Sequence, residues 1–244
     1  MSDTVEKPVP CLDRAQKLIE MGFPIILRGV VGMGHVGWGN PHGEDAMRFL
    51  TALRNPNITQ SEAEKALIER ITGQLAENKP ILAADIERLI DLAGPEVDQL
   101  LVQLAQAEKR EMRLALARLC QQRLYGPPVV QVLAQLTKGD KEATVRSAAT
   151  RALGVAAGWN NAAARDALIA VATDEAGKIM DRLLAAGQLG LVATMQHDCS
   201  NQDKTLFDAL RSLLTDKNNP MRAVAQAGLD GKLVAKGEEV LPKR

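Results

Sequence analysis

The sequence predicts an all-α fold of stacked antiparallel helix pairs, preceded by a Gly-rich irregular N-terminal segment. Three observations carry this. Apolar residues make up 46% of the chain but aromatics only 2%, so the core must be Ala, Leu, Ile and Val, which suits closely approaching helices better than a β-sandwich. Asp140 to Gly154 (DKEATVRSAATRALG) sets Val145, Ala148, Ala149, Ala152 and Leu153 at i, i+3, i+4, i+7 and i+8, one face of a helix. The frame then returns: Arg146 to Arg182 is 36 residues, Arg182 to Arg222 is 40, and Leu153, Leu189 and Leu229 each lie seven beyond their arginine.

Taken in order, residues 1–10 are polar with Pro8 and Pro10 and read as a loose arm. Cys11 to Met21 reads as a short amphipathic helix through Leu12, Ala15, Leu18 and Ile19, stopped by Gly22. Phe23 to Val31 suits an extended chain. Six glycines from Gly29 to Gly43 make a helix there costly, at about 1 kcal/mol each relative to alanine.

From Gly43 the chain is expected to be nearly all helix. Glu44 to Leu53 is one, ended by Asn55-Pro56-Asn57. Thr59-Gln60-Ser61-Glu62 is a capping box opening a helix towards Glu77. Pro80 starts a helix over Ile81 to Leu92, and Gly94-Pro95 separates it from one carrying Val97, Leu100, Leu101 and Leu104. Met112 to Leu124 follows, then the break Gly126-Pro127-Pro128. Val129 to Leu136 turns through Lys138-Gly139-Asp140 into the central helix, whose first-turn amides Asp140 is placed to cap. That helix ends at Gly154 or runs on to Gly158. Ala162 to Ala172, Asp174 to Leu191, Asn201 to Leu214 and Asn219 to Val234 complete the array, with Gly187 and Gly190 weakening the second of these. The closing GEEVLPKR reads as a tail. The domain reading is therefore residues 1–42 as arm, short helix and Gly-rich segment, 43–236 as the helical repeat domain, and 237–244 as tail.

DKEATVRSAATRALG and DKNNPMRAVAQAGL resemble HEAT repeats, whose second helix opens with Asp, then Val-Arg, then an Ala and a Leu. The resemblance covers residues 126 to 231. Asp140 and Asp216 each lie six before their arginine, whereas Ala176 holds that place in the middle copy, and the Val145 position becomes Asp181, then Met221. Around MRLALARL the arginine-to-leucine gap is six rather than seven, so an earlier repeat is less regular. The resemblance implies a right-handed α-solenoid and, most simply, a non-catalytic scaffold or adaptor that binds another protein. It also implies that Arg146, Arg182 and Arg222 support the stacking of one repeat on the next. Bilin lyases belong to a related group, and the fold alone does not decide among these activities.

Several candidate sites stand beside this reading. Gly32-Met33-Gly34-His35-Val36-Gly37 is G-x-G-x-x-G, but a dinucleotide site needs a helix directly after it, and Trp38-Gly39-Asn40-Pro41 blocks one. The alternative function of small-ligand binding (nucleotide, metal or bilin-type) or catalysis is assigned to this Gly32–Gly43 region. Partner binding is assigned to Phe23, Arg28, His35, Trp38 and His42, on the apolar character of that segment. Lys109, Arg110, Arg113, Arg118 and Arg123 form a basic stretch that reads either as a solvated helix face or as a nucleic-acid interface. Thirty basic and 30 acidic residues cancel, which argues against a dedicated nucleic-acid binder.

His35, His42 and His197-Asp198-Cys199 match no zinc spacing, and Cys11, Cys120 and Cys199 form neither a disulfide framework nor a CxxC clip. No catalytic residue, metal site or cofactor is assigned. With neither a secretory signal in MSDTVEKPVPC nor a membrane span, the expected location is the cytoplasm.

Overall fold

The computed structural model describes residues 62–77, 79, 81–89, 92, 95–122, 126–197, 202–236 and 239–242. The expected N-terminal arm, short helix, Gly-rich segment and Glu44–Leu53 helix lie outside these residues. So does Thr59 of the capping box.

The described chain is helical except for one C-terminal hairpin. Its helices are α1 (Glu62–Ala76), α2 (Ala83–Arg88), α3 (Pro95–Gln106), α4 (Arg110–Leu119), α5 (Pro127–Gly139), α6 (Ala143–Gly158), α7 (Ala162–Ala172), α8 (Ile179–Gln196), α9 (Lys204–Leu213) and α10 (Asn219–Leu229). Strands β1 (Leu233–Lys236) and β2 (Glu239–Pro242) follow.

Packing sorts the helices into two layers. In the first, α1 packs on α3, α3 on α5, α5 on α7 and α7 on α9. In the second, α2 packs on α4, α4 on α6, α6 on α8 and α8 on α10. The layers join because the two helices of each pair from α3–α4 to α9–α10 also touch. One continuous apolar core runs between the layers, from Leu67 and Ile71 through Leu104, Leu153 and Leu189 to Leu210 and Ala225. It holds Leu, Ile, Val and Ala almost throughout, as the lack of aromatics requires.

Small residues set the spacing within the second layer. A β-carbon on Gly228 of α10 would fall 2.6 Å from Gly190 Cα of α8, so these two backbones cross in contact. Gly154 of α6 receives the side chain of Gln188, which fills the space a β-carbon would need. Gly190, expected to weaken its helix, therefore permits this backbone contact.

Helix ends account for most departures from the sequence reading. The central helix runs to Gly158, the further of its two expected ends, and closes on Asn160, whose φ is 65°. Asn160 N–H donates to Ala157 O at 2.9 Å and Asn161 N–H to Ala156 O at 3.1 Å, a complete Schellman motif. Asn161 then caps α7, its Oδ1 accepting from Ala164 N–H at 2.9 Å. At the other end of the pair, α8 begins at Ile179 rather than Asp174, because Asp174 Oδ1 accepts from Ala176 N–H and holds a turn through Gly177. Asp140 likewise lies before its helix. Its carboxylate accepts from Glu142 N–H at 2.9 Å, and α6 starts at Ala143 with Glu142 in the cap position.

The C-terminus differs most. Helix α10 stops at Leu229 instead of continuing to Val234, since Gly231 takes φ 65° and a second Schellman motif forms. In it, Gly231 N–H donates to Gly228 O at 3.1 Å and Lys232 N–H to Ala227 O at 2.8 Å. The chain leaves as an antiparallel hairpin with Leu233 opposite Pro242, Val234 opposite Leu241, Ala235 opposite Val240 and Lys236 opposite Glu239. Strand β2 thus occupies the stretch expected as a tail. Both strands pack on α8 and α10, and Leu233 is buried.

Candidate functional site

Two features of the second layer stand out, one at its edge and one on its outward face. At the edge, each unit's arginine reaches an aspartate of the next. Arg113 of α4 donates to both carboxylate oxygens of Asp140, with Nε to Oδ2 at 2.6 Å and Nη2 to Oδ1 at 3.3 Å. Arg146 of α6 donates from Nε to Asp181 Oδ2 at 2.7 Å. Arg182 of α8 pairs with Asp216, in the turn before α10.

The same guanidinium groups also bind backbone carbonyls. Arg113 Nη1 donates to Ala107 O and Glu108 O, Arg146 Nη1 to Asp140 O and Lys141 O, and Arg182 Nε to Ala172 O. All three arginines are buried. A buried charge is tolerated only when its donors are used, and here each fork is shared between a carboxylate and the loop of its own pair.

The carboxylates respond. A backbone N–H from Asn218 is the chief influence on Asp216; with Arg182 and the Asn218 amide it outweighs burial and holds the group down to about 2. Burial works to raise Asp140, but the hydrogen bonds from Arg113 and Glu142 N–H bring it below its ordinary value. Two open grooves follow this edge. One of about 970 Å³ lies between Ala107–Lys109 and Gly139–Lys141. Another of about 430 Å³ lies between Thr137–Lys141 and Asp174–Lys178. The arginines and aspartates along this edge are paired with one another, so the ladder joins successive pairs, and the grooves are otherwise lined by Lys138, Lys141 and Lys178.

The outward face of α8 is of another kind. Met180, Leu184, Leu191 and Met195 share one side of this helix, with the buried Gly187 between them, opposite Arg182, Ala185, Leu189 and Ala193 in the core. Met180 is 70% exposed and Met195 62%, with Leu184 and Leu191 half-buried between them. Helix α6 is largely polar on the same side, presenting Thr144, Ser147, Arg151 and Val155. The Met195 methyl lies over Gly158, at the end of α6.

The residues expected from sequence divide as follows. Phe23, Arg28, His35, Trp38 and His42 lie outside the described residues, as do Arg123, Tyr125, Cys11 and Cys199. Of the basic stretch, Arg110 and Arg118 are exposed, and Arg110 Nε reaches Thr144 Oγ1 at 3.3 Å. Lys109 is half-buried. Arg113 does not share that face, because it is turned inward to Asp140. Arg222, the last of the repeated arginines, is half-buried and donates to Asp216 O. Cys120 is buried and in no disulfide, and His197 is exposed at the end of α8.

Among the described residues no group of His, Cys, Asp and Glu could hold a metal ion, and no helix is long and apolar enough to cross a membrane. Sequence reading did not single out the α8 stripe. The signal was present, since α8 has apolar residues on two opposite sides where one suffices to face a core. Comparison of the chain with family models, with curated proteins and with solved structures gives no match.

Proposed function

We propose that this protein is a HEAT-like α-solenoid acting as a non-catalytic scaffold or adaptor, and that it holds another protein on the outward face of its second-layer helices. The observation that carries the reading is the apolar stripe of α8. Two methionines, both more than half exposed, bracket two half-buried leucines on a helix whose opposite side already fills the core. Methionines this exposed on an ordered helix offer apolar surface for a partner to cover. The ladder supports the solenoid reading, because each arginine is tied to the next pair and neighbour-to-neighbour coupling is how stacked repeats are stabilised. The Gly-rich segment around His35 and His42 is a second attachment point in the same proposal.

Affinity purification from the native cells tests it, with the intact chain, a chain lacking residues 23–42 and the double variant M180E/M195E as baits. A stoichiometric protein partner lost from the double variant supports the α8 face. Loss only on deleting residues 23–42 moves the attachment to that segment. Copurification of nucleic acid or a small molecule without any protein would overturn the scaffold reading.

A further inference from the structure

We infer that the groove between the α5–α6 turn and the α7–α8 turn binds a phosphate group, carried on a phosphorylated side chain of another protein. The site lies at the loop edge, apart from the outward face of α8, and does not rest on the scaffold reading.

The first observation is charge. The ladder groups in this groove of about 430 Å³ are neutralised by pairing: Arg146 holds Asp181, Arg182 holds Asp216, and Asp140 is held by Arg113. The lining charge that remains is Lys138, Lys141 and Lys178 against Asp174 alone, an excess of two positive charges. All three lysines are exposed, and among the described residues none of them is in an ion pair. Asp174 is held in its own turn, its carboxylate accepting from Ala176 N–H at 3.1 Å. A phosphate monoester brings about 1.5–2 negative charges at neutral pH and three acceptor oxygens. A carboxylate brings one charge and leaves half of the excess unmatched.

The second observation is a buried donor. Thr137, in the last turn of α5, lines the same groove and is 1% exposed, yet its hydroxyl has no hydrogen-bond partner. Thr72, Thr150 and Thr173 each donate theirs to the carbonyl four residues back; Thr137 does not. A buried hydroxyl left unpaired is unfavourable, and an acceptor oxygen entering the groove would satisfy it. The neighbouring groove offers less, because Lys109 and Lys141 meet Glu108 there and no unpartnered buried hydroxyl lines it.

The rest of the lining narrows the ligand. Among the described residues no aromatic ring borders the groove, so a nucleobase has nothing to stack on. Val171 and Ala176 are its apolar side chains, too few to seat an acyl chain. The groove is open along the edge, which suits a phosphate on a chain that continues past it.

The test is fluorescence anisotropy of labelled degenerate peptide libraries with the full-length protein, one built around phosphoserine, one around serine and one around glutamate. The phosphoserine library is expected to bind about tenfold or more tightly than either of the others, with an advantage that shrinks as salt is raised. K141A/K178A is expected to weaken it about tenfold or more without changing the circular dichroism spectrum or Tm. T137V is expected to weaken it about threefold or more while Tm holds or rises, since valine keeps the shape and removes an unpaired hydroxyl. Equal binding of the phosphoserine library and either control, or binding that K141A/K178A leaves intact, overturns the inference. Inorganic phosphate bound in calorimetry while no phosphoserine peptide binds would also overturn it, as an anion site without a protein ligand. M180E/M195E is expected to bind the phosphoserine library unchanged, so the α8 face and this groove fail or stand separately.

Discussion

Arg146 Nε on α6 and Asp181 Oδ2 on α8 lie 2.7 Å apart, and this pair fills a gap in the repeat. Asp140 and Asp216 occupy the turn before their helix, six residues ahead of the local arginine, and receive Arg113 and Arg182 of the preceding units. The corresponding place in the middle unit is Ala176. Asp181, five residues later and in the first turn of α8, supplies the missing carboxylate. The ladder is continuous although the motif is not.

Asp181→Ala should therefore destabilise the protein by about 3 kcal/mol, the cost of leaving a buried guanidinium without its counter-ion. Restoring the motif with A176D in the D181A background should recover part of the loss. Urea unfolding midpoints of the three proteins check both statements. An unchanged midpoint for D181A would show that the carbonyls of Asp140 and Lys141 satisfy Arg146 by themselves.

Arg113 and Arg118 are five residues apart on one helix and should behave oppositely. Arg113→Ala removes a buried fork and is expected to cost about 3 kcal/mol, whereas Arg118→Ala on the exposed side should stay within about 0.5 kcal/mol. Thermal unfolding of the two variants separates the inward arginine from the outward one.

Acid should loosen the joint between α8 and α10. The folded-state value of Asp216 is depressed to about 2 from an ordinary 3.8. Its contribution is thus fully present above pH 3.8 and is lost as the pH falls through 2. The gap in urea midpoint between the intact protein and D216N should be constant above that window and shrink within it. A gap that persists at the lowest pH would show that the contact does not depend on the charge of Asp216.

The glycine contacts predict opposite signs for one substitution. Gly228→Ala forces a methyl group onto the α8 backbone at Gly190 and should cost about 1–3 kcal/mol. Gly73→Ala, within α1, adds a β-carbon with nothing inside 4 Å and should gain up to about 1 kcal/mol from helix propensity. Melting temperatures of the two variants decide the matter.

Much of the fold was legible because a buried stripe repeats at helical spacing and its arginine repeats with it. The first described ladder arginine was harder to place. Arg113 is the second residue of MRLALARL, where Leu119 comes one residue early, but the seventh position is Cys120, which is buried at the matching depth. Cysteine can stand in for leucine in a core, and a leucine count passes over it. The end of the last helix was misread because a left-handed residue decides it, since Gly231 acts through backbone geometry that an apolar pattern does not carry. The α8 face was hidden for another reason. Periodicity identifies residues that can be buried, and Met180 and Met195 satisfy it as well as any core residue while standing in solvent.

The glycines at the crossings carry a further consequence. Gly154 and Gly190 both lie eight residues after their arginine, and each meets the residue six after the next one, Gln188 and Gly228 respectively. An ion pair between any arginine and any aspartate is much the same, so the ladder alone would accept its units in any sequence. The crossings would not. Gln188 needs a glycine beneath it, and the eighth position of the α4 unit is Gln121, whose amide already reaches Ala148 O. Stacking the α8 unit directly on α4 would set two glutamines in one space. The order of the units is thus written in side-chain volume, and a shortened or shuffled array would have to rewrite it there.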